Sequence, residues 1–331
     1  MTKKEYEQLL RNARKEYPKL SQKAMTELRR IYKKAGELAA EAVRKSIVSG
    51  AADITTESWT EISRQLSAGA DLIREELHLQ IPATTSNGIS LTSKINEDFI
   101  EDVIAANGIT RITTAQIKSM YRAVNDKLIR SIATRFYGDG YTFSNRVWKA
   151  SIDYQNQIKD VISAGLAQGR DPVKIAKDLQ VYISDGKGAL VARLQRSNRF
   201  GELQRPTKEF MKRIGNKVDW RALRLVRSEL YASIQQASLE HGRMNPAASG
   251  LYEWVMTAER QHWKCACPDH ARNGPYKHEE VPGYPHSNCR CDIRPILRDT
   301  RQFQEDIIKW SNGESIDYID KWYYDIYLTA A

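Results

Sequence analysis

All four cysteines of the 331-residue chain fall between Cys265 and Cys291, and four of its six histidines, His262, His270, His278 and His286, share that window. Sulfur and imidazole nitrogen are the donors Zn²⁺ takes in tetrahedral sites, where two knuckles each supply two ligands and the ion closes the loop between them. One knuckle here is Cys265-Ala266-Cys267, followed by His270; the other is His286-Ser287-Asn288-Cys289-Arg290-Cys291. A site built from Cys265, Cys267, His286, Cys289 and Cys291 can fill all four positions around Zn, which points to a structural role, since a catalytic zinc keeps one position for water. The Cys-x-Cys spacing, in place of Cys-x-x-Cys, predicts that some thiols are spectators. Two other readings stay open: reduced thiols packed in a small core, and disulfides, which a reducing compartment disfavours.

These donors need a framework, and 331 residues suggest roughly two domains at ~150 residues each. Apolar residues make up 41% and charged residues 28%, ordinary for a globular protein. The longest apolar runs fall far short of the ~20 residues a bilayer span requires, so no membrane partner is expected. Met1-Thr2-Lys3-Lys4-Glu5-Tyr6 leads into mixed charge with no apolar signal region, so a cytoplasmic setting is expected.

The formal net charge of +10 is concentrated: residues 187–227 hold 12 basic against 3 acidic side chains, a net of +9, and residues 1–50 add +7. Lys187, Arg193, Arg196, Arg199, Lys212, Arg213, Arg221 and Arg224 are therefore candidates for nonspecific, salt-dependent contact with double-stranded DNA through its phosphates. As a solvated face the same stretch needs no partner, but its density exceeds what solubility calls for.

Helical periodicity dominates the chain. Residues 21–50 read as one helix, capped by Ser21 and stopped by Gly50, with Leu28, Ile31, Ala35, Leu38, Ala42 and Ile47 on one face. A second runs from Ser58 to about Leu79, and residues 81–88, Ile-Pro-Ala-Thr-Thr-Ser-Asn-Gly, read as a loop. Helices follow from Asn96 to Ala106, Thr114 to Phe136 and Phe143 to Gly165, broken at Gly138-Asp139-Gly140. Asp171 and Pro172 read as the N-cap and first residue of the next helix, and residues 184–188 as a flexible basic loop. From Trp220 to His241 an amphipathic helix carries Leu223, Val226, Leu230, Ile234 and Ala237 on one face and Arg221, Arg224 and Gln235 on the other.

Short strands at 251–257 and 292–297 flank the Cys/His window. The last 30 residues hold Trp310, Tyr318, Trp322, Tyr323, Tyr324 and Tyr327, and read equally as a docking peptide or as a segment that packs back on the body. The expected fold class is α+β, a predominantly α-helical body with a small C-terminal Cys/His module containing a short β-sheet. By composition it falls into an N-terminal basic helical region (1–110), a helical core with the basic stretch (111–245), the Cys/His module (246–300) and the aromatic-rich tail (301–331).

The run from Cys267 to Tyr276, Cys-Pro-Asp-His-Ala-Arg-Asn-Gly-Pro-Tyr, followed by Val281 to Cys291, Val-Pro-Gly-Tyr-Pro-His-Ser-Asn-Cys-Arg-Cys, resembles the C-terminal signature of the phage Mu F-type minor head proteins. That signature is a Cys, a Gly-Pro-Tyr-like turn, then Pro-His-x-x-Cys-x-Cys. Gly165 to Leu179 is similar to the family's Gly-x-x-x-Gly-x-[Asp/Ser]-Pro helix entry, and Arg227-Ser228-Glu229 to its Arg-Thr-Glu helix motif, Ser228 keeping the hydroxyl. The similarity spans about residues 160–297. Cys267, His286, Cys289 and Cys291 match the signature, while Cys265 replaces a Cys that some members place three residues before Cys267. The resemblance implies a structural minor head protein of a tailed bacteriophage, without enzymatic activity. It would lie in the virion near the portal and the capsid interior after assembly in the host cytoplasm, with the portal protein, the major capsid or scaffolding protein and packaged DNA as partners. Arg227 and Glu229 read as structural charges that cap or bridge neighbouring helices.

Two other classes of function compete with this one. A metal-dependent nuclease would activate water through His262, His270 or Asp269; nothing it requires is absent, but nothing is well placed, since only a short strand and a tail follow Cys291 where a His-rich core beside a strand-helix unit is expected. A DNA-binding regulator would need a helix-turn-helix spacing or a finger-type Cys/His pattern, and neither occurs.

Overall fold

The computed structural model describes residues 1–46, 55–135, 140–197, 208–257 and 265–329. The expected helix end at Ile47 to Gly50, the break at Gly138-Asp139, Arg199 and His262 lie outside the described residues. The order is α1 (Lys3–Lys45), α2 (Thr56–Asn107), α3 (Thr114–Thr134), α4 (Phe143–Ala167), α5 (Pro172–Asp185), α6 (Lys187–Ser197), α7 (Lys208–Arg213), α8 (Trp220–Met244), β1 (Ala248–Val255), α9 (Cys267–Asn273), β2 (Tyr276–Lys277), β3 (Asp292–Leu297), α10 (Thr300–Ser311) and α11 (Asp317–Trp322). The fold is α+β and mostly helical, with one small antiparallel sheet near the C-terminus in the strand order β2-β1-β3. No helix among the described residues is long and apolar enough to cross a membrane.

Three local expectations are corrected. Helix α1 begins at Lys3, not Ser21, because Thr2 and Glu5 form a capping box: the Glu5 N–H donates to Thr2 Oγ1 (3.3 Å) and the Thr2 N–H to Glu5 Oε2 (2.6 Å). It then runs through Pro18. Residues 81–88 are helical within α2, although Pro82 lies inside it. Thr85, one of the polar residues that suggest a turn, is instead a helix-interior group whose Oγ1 donates back to the Ile81 carbonyl, and the same back-bonding continues along α2, with Thr92 Oγ1 donating to the Gly88 carbonyl (2.9 Å) and Asn96 Nδ2 to that of Thr92 (3.2 Å). Burial of Ile81, Ile89 and Phe99 offsets the hydrogen bond that Pro82 removes. The supposed loop at 184–188 shrinks to Gly186, which at φ +88° turns α5 directly into α6.

Two compact units divide the chain differently from its composition. The first gathers Met1–Gln22, Ile81–Arg135 and Arg227–Ala331, the second Lys23–Gln80 and Phe136–Val226; α1, α2 and α8 contribute to both. In the first unit Tyr6, Phe99, Tyr121, Leu230, Ile234 and Trp310 share one core. Gly88 lets α8 approach α2 there, since a Cβ at that position would come within 2.8 Å of Leu230 Cδ1. The second unit buries Tyr32, Leu66, Tyr154, Ile175 and Leu179. At its Asp171-Pro172 helix start the Lys174 N–H donates to the Asp171 carboxylate (3.0 Å), as the sequence predicts.

His241, fully buried on α8, makes the first unit sensitive to acid. Its Nε2 lies 2.7 Å from Asn125 Oδ1, its ring meets Tyr121 edge-on, and burial pushes its pKa down to about 3. The unfolded imidazole titrates near 6.5. As pH falls below that value the unfolded chain gains a proton that the folded chain refuses, so the stability His241 contributes is lost between about pH 6.5 and about pH 3. The slope is ~1.4 kcal/mol per pH unit. In His241→Gln this part of the pH dependence is expected to vanish, which parallel denaturant titrations of both chains at pH 7 and pH 5 would show.

Candidate metal centre

The strands set the floor of the site. Alternation along β1 turns Tyr252 and Trp254 to one face, Trp254 pairs with Ile293 of β3, and Cys267, Cys289 and Cys291 are buried against them. Cys267 comes from the first turn of α9, and Cys289 and Cys291 from the segment that leads into β3.

All four cysteines are free. The donor atoms of Cys267, Cys289 and Cys291 lie within 4.8 Å of one another, and so do those of Cys265, Cys267 and His286; Cys267 belongs to both groups. Its sulfur is 3.4 Å from His286 Nε2 and 3.6 Å from Cys289 Sγ. Donors on a tetrahedral zinc are separated by about 3.6 to 3.8 Å, from bond lengths of ~2.1 and ~2.3 Å. Each group of three therefore fits a metal ion, and Cys267 is common to both. The expectation that Cys-x-Cys leaves a spectator fails for Cys289 and Cys291, because both sulfurs face the same centre. Residues two apart on extended backbone share a face, and a turn helps here: the Cys289 N–H donates to the His286 carbonyl (3.1 Å), and Asn288 takes φ +63°, a conformation Asn tolerates.

Electrostatics prepares the cluster for a cation. Hydrogen bonds from Cys289 and Cys267 hold the Cys291 thiol well below its ordinary range. The Cys289 thiol is pushed up by its hydrogen bond to Cys291 and by burial, and that of Cys267 by burial and by the neighbouring Cys291 charge. A divalent ion supplies the positive charge that lets neighbouring thiols ionise together. His286 Nδ1 lies 3.0 Å from the Ser287 carbonyl, which can only accept, so Nδ1 carries the proton and Nε2 presents its lone pair to the sulfurs.

A ring of hydrogen bonds fixes the second knuckle. The Asn288 N–H donates to Ser228 Oγ (2.9 Å) and Arg227 Nη1 to Asn288 Oδ1 (3.3 Å). Gln235 Nε2 donates to the Cys291 carbonyl (2.8 Å) and the Tyr284 hydroxyl to that of Cys289 (3.0 Å). Glu229, 1% exposed, accepts from Arg135 Nη1 (3.2 Å). The Arg-Ser-Glu motif on α8 thus braces both the knuckle and the end of α3. Gln235, expected on a polar face, is buried as part of this brace. Ser228→Ala is expected to weaken metal binding by about 10–100-fold, the range for outer-shell partners, at a stability cost to the metal-free chain of only ~1 kcal/mol. Competition against a chromophoric chelator would measure the first and thermal melting the second.

The other candidates lie elsewhere. His270 packs on the Trp254 ring at 4.8 Å between centroids, His278 meets Tyr252 edge-on, and Asp269 pairs with Arg272 on the surface. Among the basic residues, Lys187 Nζ donates to the carbonyls of Met211 and Ile214. Arg193 joins Arg170 on buried Asp178, at 2.7 and 2.8 Å. Arg221 pairs with Asp153 (2.9 Å) and Arg213 with Asp160 (3.8 Å). Arg196, Lys212 and Arg224 are exposed. Arg196 Nε also donates to the Ala192 carbonyl (3.2 Å), so most of the sequence-predicted DNA contacts that the structure describes are engaged within their own unit, which a charge count does not reveal. No protein-family model, no curated protein and no solved structure matches this chain.

Proposed function

We propose that the chain is a minor head protein of a tailed bacteriophage, associated with the portal and the capsid interior, acting in head assembly and in packaging or release of DNA, with a structural zinc ion in its C-terminal module. One observation carries this reading. Two stretches that separately resemble the Mu F-type family, the signature Cys267, His286, Cys289 and Cys291 and the helix motif Arg227-Ser228-Glu229, are tens of residues apart, yet the helix motif holds the knuckle of the signature through Asn288. A soft, all-Cys/His donor set favours zinc over calcium or magnesium, which take oxygen. Exposed Arg196, Lys212 and Arg224 offer a surface for nonspecific contact with packaged DNA.

Quantitative mass spectrometry of purified phage particles and procapsids tests the reading. The chain is expected in few copies relative to the major capsid protein, and to co-purify with the portal protein when heads are disrupted. Its absence from both particles would overturn the proposal.

A further inference from the structure

We propose that a cleft in the first unit, apart from the metal centre and independent of the head-protein reading, binds a phosphate monoester. The C-terminal end of α8, the start of β1, the turn after β2 and helix α11 enclose a cavity of about 510 Å³. Arg243, Lys277, Arg298 and Lys321 line it together with Glu279 and Asp325.

Arg298 is the most firmly placed of the four cations. Its guanidinium lies over the Tyr318 ring at 4.1 Å, the Tyr318 hydroxyl donates to Asp306 (2.9 Å), and its backbone N–H donates to the Ala247 carbonyl (2.9 Å). Its Nε is buried without an acceptor. Arg243 and Lys277 each have a carboxylate within 4 Å, Glu240 and Glu280, but neither Arg298 nor Lys321 has an ion pair among the described residues. A guanidinium held flat against an aromatic face loses little freedom on binding, and its fork matches two oxygens of one tetrahedral anion.

The charge selects among anions. A phosphate monoester carries about −1.5 to −2 at neutral pH, which calls for the two cations without an ion pair, Arg298 and Lys321, whereas a carboxylate or an internal phosphodiester carries a single charge. The same group arrives on the 5′ end of a nucleic acid or on a small phosphorylated molecule.

Calorimetric titration of the full chain at low ionic strength, where surface charge is least screened, distinguishes these sources. The probes are inorganic phosphate, a 5′-phosphorylated oligonucleotide and the same oligonucleotide without its phosphate. Phosphate and the phosphorylated strand are expected to bind one site, with affinity falling at least tenfold in Arg298→Gln and in Lys321→Gln. Lys321 is exposed, so its replacement leaves folding intact even where that of Arg298 does not. A phosphorylated strand that binds far better than inorganic phosphate assigns the site to nucleic-acid ends; equal affinities assign it to small phosphorylated molecules. Binding by neither phosphate probe, or binding that Lys321→Gln leaves unchanged, overturns the proposal.

Discussion

A Cys289→Ser chain is expected to come out of purification without bound zinc and to melt at least ~20 °C below the parent, whereas Cys265→Ser keeps most of both. The physical reason is that binding energy at a structural site is folding energy, ~10–16 kcal/mol for structural zinc, and a domain of 150–250 residues loses ~2–4 °C per kcal/mol. Cys289 is fully buried among Trp254, Cys267, Cys291 and Ile293, so its hydroxyl replacement cannot turn to water, while Cys265 is half-buried and reaches the cluster only through Cys267 and His286. Elemental analysis and thermal melting of the three chains measure this. Metal absent from the parent, with Cys289→Ser as stable as the parent, would leave packed thiols as the account of the cluster and remove the zinc proposal.

What the sequence disclosed, and what it did not, follows from the range of the interactions involved. Strand β3 at Asp292–Leu297 and the helix start at Asp171-Pro172 sit where pattern and cap chemistry place them, because both are local signals. The candidate metal donors were legible because their residue types are scarce and clustered. Pro82 misled because a proline removes one hydrogen bond whatever surrounds it, and only tertiary burial decides whether the helix continues; Ile81, Ile89 and Phe99 supply that burial. The Thr2/Glu5 capping box was a readable signal that lost out to Ser21, a residue of the right type in the interior of α1. Gln235 and Ser228 could not be assigned from spacing, since their partners, Cys291 and Asn288, lie about 60 residues away in sequence. Two units built from interleaved segments are likewise non-local, and composition changes along the chain do not trace them.

The aromatic tail provides the second large effect. Trp310→Ala is expected to destabilise the first unit by about 3–5 kcal/mol, the range for deleting a buried Trp. The Trp310 side chain is fully buried; its Nε1 donates to Asp320 (2.8 Å) and the Arg111 guanidinium covers its ring at 4.0 Å. Arg111 Nη1 also donates to the Trp310 carbonyl (2.9 Å), so truncation uncovers a cation that serves as a clamp. Farther along, Trp322 Nε1 donates to the Met244 carbonyl (2.8 Å), and the Tyr327 hydroxyl accepts from the Thr113 N–H (2.9 Å) at the start of α3. Each bond ties the tail to a different helix of the same unit, which is the geometry of a core element and not of a free docking peptide. Tyr324, 59% exposed, is the internal control: Tyr324→Ala is expected within ~0.5 kcal/mol of the parent, as for ordinary surface positions. Urea unfolding of both variants decides between the two roles. If Trp310→Ala unfolds at the parent's midpoint while Tyr324→Ala does not, the tail contributes contacts other than those that bury Trp310, and its assignment to the core falls.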